Sequence, residues 1–143
     1  MLHQTPEAKG TAPVIGQHLA GAVCSQAFTY DFGTAYTTAS DKIELGYLPA
    51  SAKLRGARLV SSGLTSTITV GVLAGEAGKN DDTRALTADL FSAVAVNGEH
   101  TTTLAKALAV TADENADKAI GATVAADVAA GAGSITLVID YVF

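Results

Sequence analysis

The residues that could do chemistry are few and far apart. Histidines stand at positions 3, 18 and 100, and no two have the i, i+2 or i, i+4 spacing that gathers imidazoles round one metal ion. His3, His18 and His100 therefore read as solvated loop residues. Carboxylates cluster at Asp81-Asp82 and at Asp113-Glu114 with Asp117. A helix–loop–helix calcium site needs a central glycine and a terminal glutamate at fixed spacing, and neither cluster has them. Glycoside hydrolysis also uses two carboxylates, but tryptophan is absent and aromatics to stack on sugars are scarce. Ser61, Ser62 and Ser66 have no histidine or acid motif around them and no G-x-S-x-G elbow. The run Ala129–Gly133 lacks the Gly-Lys-Ser/Thr ending of a phosphate-binding loop. Cys24 is the only cysteine, so no internal disulfide can form, and with no basic residue beside it to activate the thiol it reads as a small hydrophobe. Lys42 and Lys53 read as ordinary surface charges. These observations offer no catalytic, cofactor-binding or metal-ligating set, and an enzyme is not expected.

The charge balance narrows the partners. The formal net charge is −5, and the nine lysines and arginines are scattered, which argues against a nucleic-acid partner. No run of 18 apolar residues exists, so no membrane-spanning helix is expected. Val14–Cys24 has the look of a weak signal core, but it contains Gln17 and His18 and no basic cluster precedes it. A chain of 143 residues is one domain's worth of protein and can build a core by packing alone.

Period-two alternation is the dominant pattern, and it must supply whatever positions a site. Phe28, Tyr30 and Phe32 alternate with polar residues; so do Ile43, Leu45 and Tyr47, which places Tyr47 in the core. Leu54–Ser62 alternates more weakly, and Thr67–Leu73 clearly. Over 83–96, Leu86 and Leu90 are four apart, which predicts a helical turn leading into a strand from Phe91. Asn97-Gly98 predicts a two-residue hairpin, with Thr101–Val110 running back as the partner strand. Ile120, Ala122 and Val124 alternate again. The last strand is the clearest, with Ile135, Leu137, Ile139, Tyr141 and Phe143 on one face. Many short strands with turn signals every few residues predict an all-β, jelly-roll-type antiparallel sandwich over residues 27–143. Residues 1–26 hold Pro6, Pro13, His3 and His18 without apolar periodicity, and they predict an extended N-terminal arm.

The order of segments carries more information than any single motif. FTYDFG is followed by DKIELGYLPASAKLRGARLVSS, then TITVGVLAG, DLFSAVAV, DKAIGATV and GAGSITLVIDYVF. Over residues 28–143 this resembles small structural proteins of tailed bacteriophages in which I-E-L-G-x-L-P-A-x-A-K leads into a strand, V-G-V-L-x-G follows, and a tyrosine-bearing strand ends the chain. The resemblance is to capsid cement or decoration proteins. It implies a jelly-roll body on the exterior of the virion, made in the host cytoplasm, with the major capsid protein as partner, self-association as a homo-dimer or homo-trimer, no cofactor and no catalysis. On that reading the arm drapes over a neighbouring capsid subunit, and Pro6, Pro13, His18, Asp81 and Asp82 are the candidate contact residues, being polar or irregular and expected to be exposed. The rival is a tail or head-fibre module that recognises a receptor or glycan through exposed tyrosines, for which Tyr36 and Tyr47 are the candidates.

Overall fold

The computed structural model describes residues 1–10 and 23–143. Among these residues the strands are β1 (Leu2–Gln4), β2 (Cys24–Asp31), β3 (Lys42–Leu48), β4 (Lys53–Ser62), β5 (Thr67–Val72), β6 (Phe91–Ala95), β7 (Glu99–Thr101), β8 (Lys118–Val124) and β9 (Ser134–Val142), with one short helix, α1 (Leu104–Leu108). They form two sheets, ordered β1-β3-β8-β5-β6 and β2-β9-β4-β7. The neighbours β2 and β9, β3 and β8, β4 and β7, and β5 and β6 are nested antiparallel pairs, alternately in one sheet and the other. A long hairpin rolled on itself gives that nesting, which is the jelly-roll form of the sandwich. β1 is an addition, lying parallel to β3 at the edge of the five-stranded sheet.

Alternation explains the core where it is uninterrupted. β9 buries Ile135, Leu137, Ile139 and Tyr141 completely while their neighbours stay half-exposed. It lies between β2 and β4, so its inward side chains meet neighbours on both flanks. Phe28, Leu59, Ile43, Ile68, Val70 and Ile120 complete the same cluster. Gly46 lets the sheets close here, since a Cβ on it would overlap the Phe28 ring.

Two bulges change the pattern. Between Glu44 and Gly46 the β3–β8 register slips, so Gly46 pairs with Ile120 and Tyr47 with Ala119. An inserted residue flips every later side chain to the opposite face. Tyr47 is therefore half-buried on the outer side rather than in the core, and Leu48 takes the buried place. A slip between Leu54 and Gly56 does the same in β4, leaving Arg55 exposed while Leu54, Ala57 and Leu59 are buried.

Other expectations are corrected by where side chains go. Residues 83–90 form no helix: Leu86 packs outside the five-stranded sheet with Leu73, while Leu90 enters the main core, destinations that one helical face cannot serve. Asn97-Gly98 is not a hairpin within one sheet, because β6 and β7 belong to different sheets and the chain crosses between them there. Instead of a strand over 101–110, β7 is only three residues long and α1 follows, capped by Thr103 Oγ1 accepting from the Lys106 N–H. The ends of the segment expected as an arm belong to the body. Leu2 and His3 are buried in β1, Thr5 is buried behind them, and Cys24–Gln26 start β2. In residues 1–10 Leu2 is the large apolar side chain that is buried, too little for periodicity to register.

Candidate functional site

Buried polar side chains gather at one edge of the sandwich, around β1. Asp41 stands just before β3, and its carboxylate accepts from the Thr37 N–H at 2.9 Å, the Met1 ammonium at 3.0 Å and Ser40 Oγ at 3.2 Å. His3 Nε2 lies 3.2 Å from its second oxygen. His3 is thus buried rather than solvated, and its ring meets Tyr30 and Tyr36 at centroid distances of 5.8 and 6.0 Å. Burial by itself would raise the Asp41 pKa. The Thr37 N–H, the Met1 ammonium and His3 outweigh it and hold the carboxyl well below the usual range. Burial, with the Asp41 charge added, pushes the Tyr30 phenol up to about 12. Tyr36 is fully buried, not a surface platform: its hydroxyl donates to the Asp41 carbonyl at 2.9 Å and accepts from the Val124 N–H at 3.1 Å.

Glu44 makes the second half of this edge. It is fully buried and pairs with Arg84 Nη1 at 2.5 Å. It also accepts from Gln4 Nε2 at 2.7 Å and from the Gly78 N–H at 3.2 Å. Arg84 also donates from Nε to the Ala74 carbonyl at 2.5 Å and from Nη1 to the Lys79 carbonyl at 2.9 Å. Lys42 is not a free surface charge, because its ammonium donates to the Arg84 carbonyl and, at 3.4 Å, to that of Asp82. β3 therefore latches the loop 73–90 on one side and β1 on the other. The Arg84–Glu44 and Met1–Asp41 charges are paired and Lys42 donates to backbone carbonyls, so the arrangement holds backbone in place. Among the described residues no group of three or more His, Cys, Asp and Glu could hold a metal ion.

The latch makes the two outer faces of the sandwich unlike. Over the five-stranded sheet the loop packs directly on backbone: a Cβ on Gly71 would overlap the Thr87 carbonyl oxygen, and one on Gly121 would stand 3.2 Å from Leu73 Cβ. Leu2, Leu73 and Ala119 form a small second cluster beneath it, joined by Ala77 and Leu86. The four-stranded sheet carries exposed or half-exposed side chains on its outer face. Its rows run Ser25, Asp140, Gly56; Ala27, Val138, Arg58; Thr29, Thr136, Val60; and Asp31, Ser134, Ser62. Most are small and uncharged. Beside this sheet α1 exposes Leu104 at 63% and Leu108 at 46%, one turn apart.

Of the residues the sequence put forward, Pro6 is exposed on the turn after β1, and Asp82 is exposed on the loop, 3.6 Å from the Met1 ammonium. Asp81 is half-buried and holds the Thr83 N–H and hydroxyl at 2.9 and 2.7 Å. Turn and loop are neighbours, since a Cβ on Gly78 would stand 3.0 Å from the Ala8 carbonyl. Pro13 and His18 lie outside the described residues. His100 is on β7 and contacts the Ala95 carbonyl at 2.8 Å. Tyr47 lines a surface depression with Lys9, Glu76, Lys79 and Asp117. Asp41, Glu44 and Arg84 had no sequence signal as buried groups; Asp41 and Glu44 sit in the DKIELG stretch, but at polar positions that alternation assigns to solvent.

Comparison with known proteins puts this architecture in context. No protein-family model and no curated protein matches the chain. Solved structures do. A chain in the capsid of Ralstonia phage GP4 superposes with a TM-score of 0.88 at 29% identity, over 99% of this chain and 97% of that one. A chain in the capsid asymmetric unit of cyanophage Pam1 gives 0.57 at 24% identity, over 91% of each chain. A chain in the acid-stable capsid of Helicobacter pylori bacteriophage KHP30 gives 0.51 at 13%, over 87% and 90%. The last two speak to the fold alone. The first extends over nearly the whole of both chains, so the likeness is to an entire phage capsid component and supports a structural role in a virion.

Proposed function

We propose that this chain is a bacteriophage virion protein that binds the outside of the major capsid shell and stabilises it as a cement or decoration protein. The observation that carries the reading is the near-complete correspondence with a chain of the Ralstonia phage GP4 capsid. The molecule's own anatomy is consistent with it. Its buried charges are spent on holding the fold, one face is covered by its own loop, and among the described residues the other presents a sheet of exposed and half-exposed side chains flanked by Leu104 and Leu108. Rows of mostly small, uncharged side chains with two exposed leucines suit a contact of modest strength, which many copies on one shell convert to firm attachment. Self-association as a dimer or trimer, and contacts through Pro6, Asp81 and Asp82, belong to the same proposal.

The test is addition of purified protein to capsids assembled without it. Cryo-electron microscopy should show repeated density on the outer surface, and the particles should withstand more heat before releasing their contents. Density confined to the tail, or no binding at saturating protein, would refute a capsid cement and favour the tail or head-fibre module.

A further inference from the structure

Asn97-Gly98 is chemically unusual whatever its role in the fold. In such a pair the glycine amide nitrogen can attack the asparagine carboxamide. The Gly98 N–Cγ bond forms, the Cγ–Nδ2 bond breaks, and ammonia leaves with the amide proton. Water then opens the succinimide to aspartate or isoaspartate. Both residues are exposed, so water and base reach them. The carboxamide is nevertheless held at both ends: Oδ1 accepts from the Leu64 N–H at 2.9 Å, and Nδ2 donates to the Leu64 carbonyl at 2.7 Å. The backbone around it is pinned as well, with the Asn97 N–H on Ser61 Oγ at 2.9 Å and the Ser61 N–H on the Gly98 carbonyl at 3.2 Å. Asn97 has φ +59°, a left-handed conformation that asparagine tolerates.

We propose that Asn97-Gly98 is a latent deamidation site guarded by this clamp on Ser61 and Leu64. A carboxamide engaged twice with one backbone residue cannot turn onto the Gly98 nitrogen until both hydrogen bonds break. Loss of Nδ2 then removes the donor to the Leu64 carbonyl and sets a carboxylate against it. Isoaspartate would add a methylene to the backbone where the chain crosses between sheets, between the Thr67–Ala95 and Val60–Glu99 pairings. The inference is independent of the virion reading.

The full-length protein is incubated in mildly alkaline buffer, folded and in urea. Peptide mapping by mass spectrometry and isoaspartyl methyltransferase labelling follow conversion at Asn97. The unfolded chain should react about thirtyfold faster, the factor corresponding to two net hydrogen bonds. Ser61→Ala, checked for folding by circular dichroism, should speed the reaction severalfold in the folded protein. Equal rates folded and unfolded, no conversion in the unfolded chain, or a folded Ser61→Ala that reacts no faster than the parent would each overturn the proposal.

Discussion

Replacing Arg84 with methionine tests the latch most directly. Arg84 is the only cation within reach of the buried Glu44 carboxylate among the described residues, and both side chains are almost wholly buried, at 3% and 0% exposure. The substitution leaves Glu44 with Gln4 Nε2 and the Gly78 N–H alone, takes the Arg84 donor from the Ala74 carbonyl, and leaves the Lys79 carbonyl with the Asp81 N–H only. Removing one member of a buried pair costs about 3–5 kcal/mol, because the remaining charge has lost its compensation. For a domain of this length that is a fall in Tm of roughly 10–15 °C. Removing both charges should cost far less. Arg84 Nη2 is buried without a hydrogen-bond partner, so the pair is itself imperfectly satisfied. Glu44→Leu with Arg84→Met should therefore recover most of the loss, and a double-mutant cycle measured by urea unfolding reads the coupling. Hydrogen exchange should quicken in β1 and in the loop 73–90 before the rest of the protein. A loss under about 1 kcal/mol, or protection unchanged in that loop, would show that the pair does not hold the edge together.

Three further outcomes follow from the packing and the charges. Leu137→Ala empties a fully buried site at the centre of β9 and should cost about 2–5 kcal/mol by chemical unfolding. Gly71→Ala should cost about 1–3 kcal/mol, because its Cβ meets loop backbone that cannot swing aside like a side chain; Gly33→Ala, with nothing within 4 Å, should be close to neutral in the same melt. Asp41 has its folded pKa depressed, so its contribution is complete above the ordinary carboxylate value near pH 4 and declines as pH falls from there through the folded value. Asp41→Asn should accordingly flatten the acid side of a Tm-against-pH curve, and a curve as steep as the parent's would refute the assignment.

Period-two alternation was enough to find strands β2, β3, β5, β8 and β9, because a half-buried strand writes its two faces into alternate residues. It was also enough, with turn spacing and the absence of helical stripes, to reach an all-β jelly-roll sandwich. It failed where one inserted residue reverses the faces, as at Glu44–Gly46, since a bulge leaves no mark in composition. It also failed where two sheets compete for the chain. Asn97-Gly98 has the chemistry of a hairpin, and only the nesting of β4 with β7 turns it into a crossing. The edge latch was illegible for a related reason. Asp41, Glu44 and Arg84 are polar residues whose burial is created by partners about 40 positions away, His3 and Gln4 on one side and the loop 73–90 on the other. The sequence by itself determined which residues seek the interior and that none forms a recognisable catalytic set. The tertiary structure decided which face each strand presents, which charges are buried, and which side of the sandwich is left open, because those depend on what lies across the sheet rather than along the chain.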